Sequence, residues 1–114
     1  MKYVCLVYQD ESELQTRSAA EVDQSGWEEW AFTEVYRDGG QLVVEQWLQP
    51  ACTAVTLRVT DGQVAIHAGP VAQARQQLRG YYLIQAGDRD EAVRVAAKMP
   101  GARQGSIEIR PVRD

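Results

Sequence analysis

The sequence is poor in the residues that build metal centres and nucleophilic sites. It has one histidine, His67, and two cysteines, Cys5 and Cys52, in 114 residues. A Cys/His zinc site needs several such ligands at close spacing, so no metal is expected. The cysteines are far apart in sequence and fit free thiols in a reducing compartment. Cys5 lies within an apolar run and reads as a small core residue, while Cys52 falls in a loop-like stretch. Long apolar runs are missing too, and nothing approaches the roughly 20 residues that span a bilayer. The apolar stretch from Met1 to Tyr8 is too short for a signal peptide and lacks a small-residue cleavage site. The expectation is a cytoplasmic chain with no membrane partner. Positive charge is in short supply, with 12 Lys and Arg against 16 Asp and Glu, a net charge of −4. Nucleic-acid affinity rests on clustered Lys and Arg, so no nucleic-acid partner is expected. Arg103, Arg110 and Arg113 are interleaved with apolar residues and read as a solvated strand face. No Gly-rich phosphate loop or nucleophile elbow is present, and no cofactor is expected.

What is present is enough apolar material, 45% of the chain, for one core. The length fits a single domain over residues 1–114. Lys2 to Tyr8 reads as a strand that is apolar on both faces, which means both faces are covered. Gln9 to Thr16 reads as a polar loop. Ser18 and Glu21 have capping-box spacing and predict a helix to about Asp38. Its apolar face is expected at Trp27, Trp30, Ala31 and Val35, broadened by Phe32 and Tyr36. Gly39-Gly40 supplies the stop. Gln41 to Leu48 reads as a second strand, ended by Pro50. Ala54 to Thr60 and Gln63 to His67 flank Asp61-Gly62, a strong hairpin signal. Val71 to Leu78 is helix-compatible. Gly80 to Gln85 is a further strand, again apolar throughout. Asp88 and Glu91 open a second helix with Ala92, Val95, Ala96 and Met99 on its apolar stripe. Gly105 to Val112 is the last strand.

This order predicts an α+β fold, a ferredoxin-like split βαβ with an inserted β-hairpin. Both long helices cover one face of the sheet, yet its first three strands are apolar on both faces. The economical cover for the other face is the sheet of a second copy, giving a homodimeric α/β barrel.

The whole chain resembles the YCII-related family, in its DGPF-type subgroup. The resemblance rests on Met1 to Tyr8, Ala31-Phe32-Thr33-Glu34, Leu48-Gln49-Pro50 and Val55 to Val59 with Asp61-Gly62. Gly80 to Ile84, Asp90-Glu91-Ala92 and Gly105 to Val112 complete it. It implies a ferredoxin-like dimeric α/β barrel and says little of activity. The DGPF motif falls here on Ala68-Gly69-Pro70-Val71, so only the Gly-Pro turn is kept. Some members of the wider superfamily pair an Asp with a His on the first helix as acid and base. No histidine occurs between Ser18 and Asp38, so that dyad does not carry over.

The remaining candidates for chemistry are few. His67, beside the vacated aspartate position, is either a relocated acid/base or a turn histidine bonded to backbone. Glu45 interrupts an apolar strand and is either an outward edge residue or a buried carboxylate with a raised pKa. Tyr8, Asp10, Arg75, Tyr81 and Tyr82 are candidate ligand contacts, the tyrosines equally readable as core or interface aromatics. Two readings follow. One is a homodimer with a small-molecule cavity and no catalytic dyad. The other is a cofactor-free lyase or isomerase of a small aromatic or carbonyl compound, with Glu45 or His67 as base.

Overall fold

The computed structural model describes residues 1–114. Its main sheet has four antiparallel strands in the order β2-β5-β1-β6. These are β1 (Lys2–Asp10), β2 (Leu42–Trp47), β5 (Gln76–Gln85) and β6 (Ser106–Pro111). Strand β5 lies between β1 and β2, and β1 lies between β5 and β6. This is the expected ferredoxin-like split βαβ arrangement. The inserted segment forms a separate two-stranded sheet, β3 (Val55–Thr60) with β4 (Gln63–Ala68). Four helices complete the chain: α1 (Glu11–Gln15), α2 (Ala19–Asp38), α3 (Arg89–Ala96) and α4 (Gly101–Gln104). No helix is long and apolar enough to cross a membrane.

Alternation along β1 decides where the core forms. Tyr3, Cys5 and Val7 point to the helices and are buried, while Val4, Leu6 and Tyr8 point to the other face and are half-buried. Tyr82 and Ile84 of β5 join the inward set, with Leu42 of β2. The helices contribute Phe32, Ala92, Val95 and Ala96, and Met99 packs with them. Burial lifts the Cys5 thiol to about 11, so this cysteine is an inert packing residue. Ser18 caps α2 by accepting from the Glu21 amide, and Asp88 caps α3 by accepting from the Glu91 amide.

Three local expectations need correction. The inward face of α2 is Phe32, Thr33 and Tyr36, whereas Trp27, Trp30 and Val35 are exposed. Trp27 and Phe32 lie five residues apart, about 140° around a helix. The helix is apolar on two sides, and the side that won is the one whose ring fits the sheet. Phe32 meets Tyr82 edge-on at 5.3 Å and Tyr36 at 4.6 Å. Second, Gln9 and Asp10 continue β1 rather than open a loop. Asp10 then caps α1 through its bond from the Ser12 amide. Third, Val71 to Leu78 is not helical, because β5 begins at Gln76 and pairs there with Asp10.

The molecule is a thin slab, 47 × 42 × 19 Å. Nineteen ångströms accommodates one helix layer on one sheet, about 10 Å for each layer. Its radius of gyration, 16.1 Å, exceeds the roughly 13 Å of a compact 100-residue domain. The hairpin accounts for much of this. Its register places Val55, Leu57 and Val59 opposite Ala68, Ile66 and Val64, so all six share one face. All six are exposed. The base of the hairpin is pinned by Thr56 Oγ1 donating to the Gly69 carbonyl at 2.8 Å and by the Gly69 amide donating to the Ala54 carbonyl. Its tip is Asp61-Gly62, both at positive φ (52° and 76°), as a two-residue turn of this hand requires.

Candidate functional site

Three concavities of the fold bear on the candidate residues. The outer one lies at the end of β1, between the Leu48–Ala54 loop and the Pro70–Ala74 loop. Tyr8, Leu48, Pro50, Ala54, Pro70, Val71 and Leu78 give it a mostly apolar lining, and its volume is about 620 Å³. Tyr8 and Leu78 are cross-strand partners, so they project from the same face of the sheet. Beside it is a shallower polar depression that holds Asp10 and Arg75. The Arg75 Nε donates to Asp10 Oδ2 at 3.2 Å. Asp10 Oδ1 accepts from the Ser12 hydroxyl at 2.6 Å and the Ser12 amide at 2.9 Å. The Ser12 hydroxyl first, then the amide bonds and Arg75, holds the Asp10 carboxyl below its usual range despite its partial burial. That carboxylate is occupied by cap and ion pair. It anchors Arg75 in the polar depression.

The inner cavity is an open cleft of about 330 Å³ between α2 and the sheet, with Gln9, Ser25, Glu29 and Gln104 at its floor and exposed Trp47 and Arg79 at its edge. Gln104 organises it. Its Oε1 accepts from Arg17 Nη1 at 3.1 Å and from Gln9 Nε2 at 3.3 Å, and its Nε2 donates to Ser25 Oγ at 2.8 Å. Glu29 Oε1 and Gln9 Oε1 are buried with no hydrogen-bond partner. Burial first, then the negative charge of Glu45, lifts the Glu29 carboxyl to about 7 against the opposing pull of Arg79. The Arg79 guanidinium sits 6.0 Å from the Trp47 ring centre.

A carboxyl whose folded pKa is raised holds its proton longer in the folded chain than in the unfolded one. It therefore costs stability as pH rises from about 4.5 to about 7, and that cost is complete above this range. Because Glu29 is only partly enclosed, solvent screening leaves roughly 1–2 kcal/mol of the effect. Glu29→Gln is expected to remove this decline and to gain that amount at pH 8 but little at pH 4. Urea unfolding at both pH values checks it, and an equal change at the two would contradict the assignment.

The sequence-derived candidates are dispersed over the molecule. His67 is exposed on β4, opposite Thr56. Glu45 of β2 accepts from Thr33 Oγ1 at 3.2 and 3.3 Å and lies 3.7 Å from Arg37 Nη2. It therefore faces α2, next to the inner cavity. Tyr82 is buried in the core, Tyr81 is half-buried on the opposite face, Tyr8 lines the outer pocket, and Asp10 and Arg75 lie in the polar depression beside it. Glu29, Gln9, Gln104, Arg17 and Arg79 were not legible as a group. The available signal was helical spacing, because Ser25, Glu29, Phe32 and Tyr36 lie on one stripe of α2.

The model of the YCII-related domain family matches residues 1–114. The chain belongs to the YCII-related family. An uncharacterised family relative from Rhizobium meliloti (strain 1021) is 34% identical over 114 residues, covering 98% of this chain and 92% of its own length.

Proposed function

We propose that this YCII-related chain is a homodimer that binds a small, largely apolar ligand in the outer pocket. The observation that carries the reading is that Tyr8 belongs to two surfaces at once. It lines the pocket, and it continues the half-buried apolar face of the sheet formed by Val4, Leu6, Tyr81, Leu83 and Val44. A second copy laid on that face would also close the pocket. The exposed apolar face of the hairpin asks for the same cover, since an isolated two-stranded hairpin is marginal in water and contiguous apolar patches mark contact sites. Pocket size and lining suit a small molecule, and Arg75, held by Asp10 in the adjoining depression, is the nearby cation for a polar substituent.

Leu6→Glu is expected to convert a dimer into a folded monomer, read by light scattering at micromolar concentration with circular dichroism as the control. The same variant is expected to lose most of the fluorescence enhancement of anilinonaphthalene sulfonate seen with the parent protein. A stable parent monomer would sink the dimer, and dye binding that survives Leu78→Glu would sink the pocket.

A second reading, cofactor-free proton transfer as in a lyase or isomerase, has one observation in its favour. Glu45 faces α2 beside a second carboxyl, Glu29, and paired carboxyls in unlike surroundings divide acid and base roles. His67, the other candidate base, lines none of the three concavities.

A further inference from the structure

We propose that the outward face of α2 is a docking surface for a basic amphipathic helix of another protein, anchored on Trp27 and Trp30 between the carboxylates of Asp23, Glu34 and Asp38. Trp27 is 67% exposed, Trp30 58% and Val35 64%. With Ala31, also exposed, they fall within about 140° of one another around the helix and form one stripe. Trp27 lies nine residues from Tyr36, about 180° around α2, and Tyr36 packs on the core, so the stripe faces away from the sheet. None of the four belongs to the core. Tryptophan is a mediocre helix former, so the helix itself does not ask for the pair either. Single exposed apolar residues are common. Two adjoining tryptophans, edge to face at 5.8 Å, are of the type that dominates binding energy at interfaces.

Charge selects the occupant. Glu28 is paired with Arg103, and Arg37 lies against Glu45. Asp23 lies one turn before the tryptophan pair, and Glu34 and Asp38 one and two turns after it, all exposed and none in an ion pair. Asp38 also adds to the negative end of the α2 dipole. A second α2 would set like charge against like, and an anionic bilayer surface is repelled for the same reason. The hairpin of a second copy carries Arg58 and Asp61, which cancel, and offers no matching charge. A helix with lysine and arginine beside an apolar stripe matches both the carboxylates and the indoles, because its cations can also lie over the tryptophan faces. A shallow trough of about 590 Å³ runs beside the stripe, lined by Ala31, Val35 and Tyr36 of α2 and by Lys98 beyond the end of α3. Ala31 is small enough for a second backbone to come close there.

The probe is a synthetic peptide of about five helical turns, with leucines along one face and lysine and arginine beside them. It is compared with the same peptide carrying glutamate in place of those cations. The Trp27 and Trp30 indole N–H signals are followed by NMR, with Trp47 on β2 as the internal control. The expected result is saturable movement of the Trp27 and Trp30 signals with the basic peptide, and at least about tenfold weaker binding of the acidic one. Trp27→Ala combined with Trp30→Ala should weaken the basic peptide at least about tenfold with an unchanged circular dichroism spectrum, since both side chains are exposed. Glu34→Lys combined with Asp38→Lys should reverse the preference between the peptides. Leu6→Glu, which disables the open face of the sheet, should bind as the parent does, so failure of the homodimer and failure of this surface are distinguishable. Loss of binding in Leu6→Glu would place the peptide on the sheet and overturn the proposal. Equal binding of the two peptides, or basic-peptide binding that survives loss of both tryptophans, would overturn it too. Assembly of the parent beyond a dimer that the double tryptophan variant abolishes would assign the stripe to a second copy instead. A blue shift of tryptophan emission on vesicles of phosphatidylcholine and phosphatidylglycerol, lost in the same variant, would assign it to a membrane, and either result overturns the proposal.

Discussion

Ile84→Ala is expected to destabilise the domain by about 3–4 kcal/mol. The side chain is fully buried on β5, where it has Tyr3 of β1 on one side and Leu42 of β2 on the other. Truncation removes apolar surface from the core and leaves a cavity. The walls of that cavity cannot collapse easily, because β5 is hydrogen-bonded along both edges. Sites that relax poorly lie at the upper end of the range for such changes. At roughly 4 °C per kcal/mol for a domain of this size, Tm should fall by about 12–16 °C. Thermal unfolding at one fixed protein concentration is the measurement, since association shifts Tm by mass action. A loss under about 1 kcal/mol would mean that the core closes around the gap and that the packing described for β5 is wrong.

Gly105→Ala should cost about 3 kcal/mol or more, a large effect for one methyl group. A Cβ at Gly105 would fall on the carbonyl oxygen of Tyr8 and lie 3.0 Å from Gln9 Cγ. The first obstacle is backbone and cannot turn aside. Either β6 separates from β1 at the Tyr8–Ser106 pair, or β1 shifts and carries Gln9 with it. The proper contrast is Gly26→Ala. Nothing lies within 4 Å of a Cβ there, and the position is inside α2, where alanine is favoured by about 0.5–1 kcal/mol. Two glycine-to-alanine changes should therefore move stability in opposite directions. If denaturant midpoints move the same way, the close approach of β6 to β1 is not as described.

Much of the fold is legible from local pattern. The caps at Ser18 and Asp88, the Asp61-Gly62 turn and the continuous apolar strands each have a short-range cause, and together they specify the split βαβ order. The inward face of α2 was not legible, because its two apolar stripes are equivalent until Phe32 meets Tyr82. Glu29 sits on the stripe that turned inward and is illegible for the same reason. The end of β1 was missed for a related reason. Gln9 and Asp10 are polar and look like loop, yet Gln9 is buried by Gln104 and Asp10 is absorbed as a helix cap. Polar residues fixed by long-range partners carry no periodic signature. Tyr8 is the exception among the polar candidates, because its place at the end of an apolar strand puts it on a lining that the strand pattern itself marks.

The strand order has a kinetic consequence. The β3–β4 hairpin depends on contacts between near neighbours in sequence and can form as soon as its turn is made. Strand β1 is the opposite case, because its partner β6 pairs Tyr3 with Pro111, across nearly the whole described chain. Contact order is therefore split within one small domain, and closure of the longest loop must precede its reward. During synthesis, β1 emerges first but stays open along one edge until β6 has emerged. The segment richest in apolar residues on both faces is thus the one left waiting longest, and it is where misassociation in the nascent chain would begin.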